Sequence, residues 1–231
     1  MTPASRAPSI GAAIRVAASD FYFNSLRFVP ANVAWALAVL AVLFATALWP
    51  PALVLAVFVA VPIAGMHRMA ALLVRGEATS FADFFDGMRT YGLQATGLFA
   101  GAALLGAVFA TNLLTGFASD SPLGWFLGAT ALWGLVALSM VVVAIWPILV
   151  DPRRAELPLR RRLQLAGLVM IGRPGRLFLL TLLVAATLVA STALLGAIVL
   201  VGVAYTSILA TRWVLPAADD IEARYEAARA R

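Results

Sequence analysis

His67 and Arg68 are the adjacent residues of this sequence best suited to chemistry. His67 is the only histidine, and the pair ends a long run, residues 28–66, that contains no charged side chain. An imidazole beside a guanidinium can bind a ligand or a partner protein. The alternative is a basic pair at the end of an apolar span, held by nearby carboxylates while the alkyl stem stays in lipid. We favour this second interpretation; the carboxylates that follow are Glu77, Asp83 and Asp86.

Other patterns that could carry chemistry are sparse. The chain has no cysteine, a single histidine and no carboxylate deep within an apolar run, so the sequence predicts no metal site. It contains no glycine-rich phosphate loop, no nucleophile elbow and no recognisable pair of catalytic carboxylates. We therefore expect no cofactor and no enzymatic activity.

The composition is that of a polytopic membrane protein. Hydrophobic residues make up 63% of the chain and charged residues only 12%, and the mean hydropathy is +0.96. The basic residues are all arginine, and they lie in short segments between apolar runs. This placement is typical of residues that orient a membrane protein and contact anionic lipid. The predicted partner is therefore the lipid bilayer, and no nucleic acid is expected despite the sequence pI of about 11.0.

The apolar runs predict an all-α helical bundle of about six transmembrane helices. The predicted spans are 28–49, 51–66, 93–117, 125–150, 177–195 and 197–215. The last two come from one run, Leu177 to Leu215, which is too long for a single span and divides naturally at Gly196. The single membrane domain, 1–231, then comprises an interfacial segment at 1–27, the six-span bundle at 28–215 and a polar tail at 216–231.

Two amphipathic segments between spans predict helices at the cytoplasmic surface of the membrane. The first follows a capping pattern of Ser80 and Asp83, and its apolar face has the spacing i, i+3, i+4, i+7: Phe81, Phe84, Phe85 and Met88. The second has Leu159, Leu163, Ala166 and Met170 on one face and Arg160, Arg161 and Arg162 away from it. Such helices anchor on lipid or dock a partner. The candidate interface contacts are His67, Arg68, Phe81, Phe84, Phe85, Arg160, Arg161 and Arg162.

The arginines also predict the orientation of the chain. With six spans, they fall in the amino-terminal segment, at 67–92, at 151–176 and in the carboxyl-terminal tail. All these segments then lie on one side, and the positive-inside rule makes that side cytoplasmic. With five spans the basic tail would lie outside. We therefore expect a multi-pass protein with both termini in the cytoplasm.

Small and polar residues within the spans predict local features of the bundle. Pro62 predicts a kink in the second span, and Gly65 leaves room beside it. The Gly97-x-x-x-Gly101 motif suits close packing within the bundle, or alternatively a subunit contact. The hydroxyl and amide side chains within the spans are most simply interhelical hydrogen-bonding groups: Thr111, Asn112, Thr187, Ser191, Thr192 and Tyr205.

Three segments carry a resemblance to a known family. They are NVAWAL at 32–37, PIAGMHRMAALLVRGEATSFADFFDGMRTY at 62–91 and LRRRLQLAGLVMIGRPGRLFLLTLLV at 159–184. Together they make the chain resemble the YesL-like family of uncharacterised bacterial integral membrane proteins. The resemblance implies a place in the bacterial cytoplasmic membrane and an auxiliary role beside carbohydrate uptake systems.

Two functions are compatible with these features. The first is a non-enzymatic accessory or assembly protein, whose surface helices engage another membrane complex such as a sugar importer. The alternative is a small transporter or channel, with a path through the bundle lined by hydroxyl groups and helix-breaking prolines.

Overall fold

The protein is an all-helical, multi-pass membrane protein. A computed structural model describes residues 8–194 and 198–229. Six of its helical segments are long and apolar enough to cross a membrane, which confirms the predicted six-span bundle. The α-helices are α1 Ile10–Leu48, α2 Ala60–Val74, α3 Ala82–Phe117, α4 Pro122–Val150, α5 Leu159–Gly172, α6 Pro174–Ala193 and α7 Val203–Arg229. The predicted division at Gly196 lies outside the described residues.

Two membrane-spanning segments are not α-helical throughout. A 3-10 helix, Pro50–Val59, precedes α2, and the two form one apolar segment. Pro62 therefore lies in the first turn of α2, where a missing N–H costs little. In place of the kink expected at Pro62, the segment changes from a 3-10 helix to an α-helix at Ala60. At the other end of the chain, π-helical residues Ile198–Gly202 lead into α7.

The first predicted surface helix is not a separate element. Residues 82–91 are the first turns of α3, which continues to Phe117 without a break. The predicted capping pattern is present, since the Asp83 carboxylate accepts hydrogen bonds from the Ser80 amide and hydroxyl at 2.6 and 2.9 Å. The amino-terminal segment likewise continues into the first span, as α1. Only α5 forms the separate short helix that the sequence predicted.

The contact between α2 and α3 requires glycine. A Cβ atom on Gly65 would lie 2.5 Å from the Phe84 carbonyl oxygen, and one on Gly87 would lie 3.0 Å from the Gly65 Cα. The room predicted beside Gly65 is thus filled by α3. The packing role predicted for Gly97 and Gly101 is wrong, because a Cβ atom on either would meet nothing within 4 Å.

The arginine-bearing segments meet at one end of the bundle, which we call the arginine end. There Arg212 of α7 pairs with Asp20 of α1. Arg75, which ends α2, pairs with Asp151 at the end of α4 and with Asp219 of α7. These contacts bring α1, α2, α4 and α7 together. A hydrophobic core lies next to this end, with Phe28, Met66, Phe84, Leu177 and Trp213 among its buried side chains.

Candidate functional site

A cavity of about 690 Å³ is only partly enclosed by the bundle and is lined by residues from all six membrane-spanning segments. Its size is that of typical small-molecule sites. Each segment contributes at least one wall residue, for example Trp35, His67, Phe99, Trp146, Thr181 and Ser207 in chain order. Among the described residues, no Asp, Glu or Arg lines it. The cavity therefore suits an uncharged and mainly apolar molecule.

His67 is a buried residue of the cavity wall. Its side chain is only 6% exposed, and its ring lies parallel to the Trp146 indole with centroids 6.0 Å apart. The Thr211 hydroxyl lies 3.5 Å from Nδ1. The burial of His67 does not fit the exposed anchor expected from the sequence, and α2 continues for seven more residues to Val74. At 1.5 Å per residue, this places His67 about 12 Å inside the helix end at Arg75.

Four of the five hydroxyl groups on the cavity wall already use their hydrogens. Those of Ser139, Thr181, Thr192 and Thr206 each donate to a carbonyl of their own helix, at 2.8 to 3.0 Å. Their oxygens can still accept a hydrogen bond. Two fully buried polar atoms of wall residues have no partner within the described part of the chain: Trp35 Nε1 and Ser207 Oγ. A buried polar atom without a partner costs about 1 to 3 kcal/mol.

Asn32 supports the irregular backbone beside the cavity. Its Nδ2 donates to the Val199 carbonyl at 2.7 Å, and its Oδ1 accepts from the Ala204 amide at 2.8 Å. Val199 belongs to the π-helical segment and Ala204 to the first turn of α7. The buried side chain thus pairs with backbone groups where the last span changes helix type. Val203, which directly precedes Ala204, is part of the cavity wall.

Arg68 and Arg162 converge on the end of α4. Arg68 Nη1 donates to the Val150 carbonyl at 3.1 Å, and Arg162 Nη1 donates to the Leu149 carbonyl at 2.6 Å. Cations are stabilised at this end of a helix by its dipole. Both guanidinium groups also lie within 6 Å of the Tyr91 ring centroid.

These contacts correct two sequence predictions. Arg68 forms no ion pair with Glu77, Asp83 or Asp86 among the described residues. Arg162 is buried on the inner face of α5, together with Leu165, Ala166 and Val169. The predicted apolar face, Leu159, Leu163, Ala166 and Met170, shares only Ala166 with this buried face and had placed Arg162 outside it. Arg160 and Arg161 remain exposed as predicted.

The three predicted phenylalanines pack together but differ in environment. Phe81 and Phe84 rings are stacked at 5.7 Å, and Phe85 lies edge-on to both. Phe84 is 1% exposed and belongs to the core, whereas Phe85 is 53% exposed. The predicted apolar face is therefore divided between the core and the protein surface.

A cluster of ion pairs lies at the arginine end of the bundle. Arg75 and Arg154 share the carboxylates of Asp151 and Asp219, and Arg154 also pairs with Glu222. Burial alone would lower the pKa of Arg75, but its hydrogen bonds to Asp151 and Asp219 outweigh this effect and hold the pKa above its usual value. The pKa of Arg154 is raised in the same way. The cluster joins α2, α7 and the segment after α4 through groups that stay charged.

A second concave surface, the α5/α7 groove, lies on the arginine end. It encloses about 750 Å³, and its wall combines apolar and charged residues, among them Arg161, Leu168, Ile171, Tyr225 and Glu226. The described residues contain no group of three or more His, Cys, Asp or Glu placed to hold a metal ion.

Most of the cavity wall could not be recognised from the sequence. Trp35, Trp146 and Ser207 are distant in the chain, and their types alone suit lipid-facing or packing positions. The one available signal was the position of His67, eight residues before the Arg-Gly-Glu step at 75–77. Comparison with protein-family models, with curated proteins and with solved structures found no match.

Proposed function

We propose that the protein is a small membrane carrier that takes an uncharged, mainly apolar molecule into its central cavity. The observation that supports this function is the cavity itself, because all six spanning segments contribute to one wall. Binding sites at the junction of several membrane helices are a general feature of transporters. This is the transport alternative of the sequence analysis.

The character of the wall favours a carrier over an ion channel. A permeating ion loses hydration and needs fixed charges or converging carbonyl groups to replace it. Within the described residues, the wall has no charged side chain, and four of its hydroxyl hydrogens are already donated to backbone carbonyls. An uncharged molecule has no such requirement.

The interrupted spans support movement around the cavity. The 3-10 helix at Pro50–Val59 and the π-helical residues Ile198–Gly202 both adjoin α-helices that carry wall residues, α2 and α7. Discontinuous helices are common in transporters, because the break lets one half move relative to the other. A carrier needs such movement to release its cargo.

Native mass spectrometry tests the proposal. Protein extracted in a mild detergent should retain a neutral molecule of fixed mass. Ala185→Phe fills the cavity and should abolish this adduct, since Ala185 is on its wall. Ala186→Phe is the matched control, because Ala186 is exposed on the same helix, as Ala185 is, but is not part of the wall. An adduct that survives Ala185→Phe, or a wild-type protein with no adduct, would contradict the proposal.

A second candidate function rests on the α5/α7 groove. A concave surface beside the exposed Arg160 and Arg161 suits a non-enzymatic accessory or assembly protein that docks another membrane complex. The family resemblance suggests a sugar importer as that complex. Leu168→Arg would place a charge in the groove, and Leu163→Arg would place one on α5 outside it. Loss of a co-purifying importer from the first variant only would support docking at the groove.

A further inference from the structure

The hydrogen-bonding state of His67 follows from its neighbour Thr211. The Thr211 hydroxyl donates its only hydrogen to the Ser207 carbonyl at 2.6 Å. Its oxygen therefore presents only lone pairs to His67 Nδ1, which lies 3.5 Å away, at the outer limit of a hydrogen bond; this arrangement favours the tautomer with the hydrogen on Nδ1. In a neutral imidazole, a hydrogen on Nδ1 leaves Nε2 as a bare acceptor. Within the described residues, Nε2 has no hydrogen-bond donor.

Other polar groups on the wall complement this acceptor. Trp35 Nε1 is a donor without a partner, and Ser207 Oγ is also unpaired. Both residues belong to the same cavity wall as His67. A ligand hydroxyl is both donor and acceptor, so it can donate to His67 Nε2 while its oxygen still accepts a hydrogen bond. The remaining wall is mainly apolar and suits a hydrocarbon body.

We infer that the cavity selects an uncharged, mainly apolar molecule that bears a hydroxyl group, whose hydrogen is donated to Nε2 of His67. This inference rests on the proposed function, because it specifies the cargo of the same cavity. It predicts a preference for long-chain alcohols over ethers of the same length. An ether oxygen accepts a hydrogen bond but cannot donate one. The expected preference is about fivefold, the effect of a single neutral hydrogen bond.

Nuclear magnetic resonance of the imidazole nitrogens tests the inference directly. The chain contains one histidine, so protein labelled with ¹⁵N-histidine and purified without a histidine tag gives a single pair of ring signals. The probes are 1-decanol and the matched ether 1-methoxynonane, added to protein in lipid nanodiscs. We expect the Nε2 resonance to shift with the alcohol and not with the ether. We also expect Nδ1 to remain the protonated nitrogen.

Photolabelling separates failure of this inference from failure of the carrier proposal. A diazirine analogue of 1-octanol should label cavity residues in the wild type and in Ala186→Phe, but not in Ala185→Phe. Decanol should compete with it at a concentration about fivefold lower than the ether, and His67→Phe should remove this difference. Cavity labelling without an alcohol preference, or without an Nε2 response, overturns only the hydroxyl inference. Absence of cavity labelling overturns both proposals.

Discussion

Arg75 forms a bidentate contact with Asp219, in which two guanidinium nitrogens donate hydrogen bonds to the two carboxylate oxygens. Nη1 lies 2.6 Å from Oδ2, and Nη2 lies 3.0 Å from Oδ1. Arg75 ends α2 and Asp219 lies in α7, so the pair joins the second span to the last. The side chain of Arg75 is only 6% exposed, and this shields the pair from water and salt. A bidentate contact of this kind needs the planar guanidinium group of arginine.

Arg75→Lys should therefore destabilise the protein although it keeps the charge. Lysine cannot span both oxygens of Asp219 while also reaching Asp151. We expect a loss of about 2 kcal/mol in the free energy of unfolding, measured by thermal denaturation in detergent. Arg153→Lys is the control, because Arg153 is 65% exposed and lies 3.9 Å from Asp219. Equal stability of the two variants would show that the bidentate contact between Arg75 and Asp219 does not contribute to the free energy of unfolding.

Asn32→Leu should destabilise the last span. The substitution keeps the volume of the side chain but leaves the Val199 carbonyl and the Ala204 amide without their partner. The expected cost is about 1 to 3 kcal/mol, measured as a lower unfolding temperature in detergent. Asn112→Leu makes the same change at an exposed position of α3 and should leave stability unchanged. A similar loss in both variants would mean that the contact to α7 is not the cause.

Gly65→Ala should impair folding, whereas Gly97→Ala should not. The added methyl on Gly65 meets the backbone oxygen of Phe84, which cannot move without shifting α3. The added methyl on Gly97 meets open space, and alanine favours the helix by about 1 kcal/mol. The measurement is the yield of monodisperse protein by size-exclusion chromatography. Normal yield of Gly65→Ala would refute the close approach of α2 and α3.

Truncation of Phe84 and Phe85 separates a core residue from a surface residue. Phe84→Ala removes a fully buried ring and should cost about 3 to 5 kcal/mol. Phe85→Ala removes a half-exposed ring from the adjacent position and should cost about 1 kcal/mol or less. Thermal unfolding in the same detergent gives both values. If Phe85→Ala proved the more damaging, lipid anchoring would outweigh core packing in this helix.

The predicted orientation is testable because the chain has no cysteine of its own. Glu77→Cys lies at the arginine end, and Asp120→Cys lies in the turn between α3 and α4. Both positions are exposed. A membrane-impermeant maleimide applied to intact cells should label only Asp120→Cys, because positively charged segments stay in the cytoplasm. Labelling of Glu77→Cys alone would reverse the proposed orientation.

The number of spans could be predicted from sequence because it depends on local composition. Each apolar run is long enough to cross a bilayer, and the confirmed spans follow those runs. The end of the second span, which the sequence placed directly before His67, could not be predicted in the same way. Arg68 follows it and suggests a surface, but its guanidinium reaches back to the Val150 carbonyl of another helix. A charged residue can therefore sit within a span when a helix end accepts it.

The faces of the helices were harder to predict than the helices themselves. In a membrane protein, an apolar stripe packs equally well against lipid or against protein, so periodicity does not separate Phe84 from Phe85. Arg162 shows the same difficulty, because its burial depends on carbonyl groups at Leu149 and Ala155 that no local pattern reveals. The cavity requires the arrangement of six distant segments, and its wall has no signature in any one of them.

The unbroken length of α3 has a mechanical consequence. Glycine lets α3 approach a neighbouring helix closely near both of its ends: a Cβ atom on Gly87 would lie 3.0 Å from the Gly65 Cα of α2, and one on Gly116 would lie 2.6 Å from the Gly128 nitrogen of α4. Phe99 of the cavity wall lies between these two contacts. Because the helix has no break between them, a displacement of α3 at the α2 contact is transmitted past the cavity to the α4 contact.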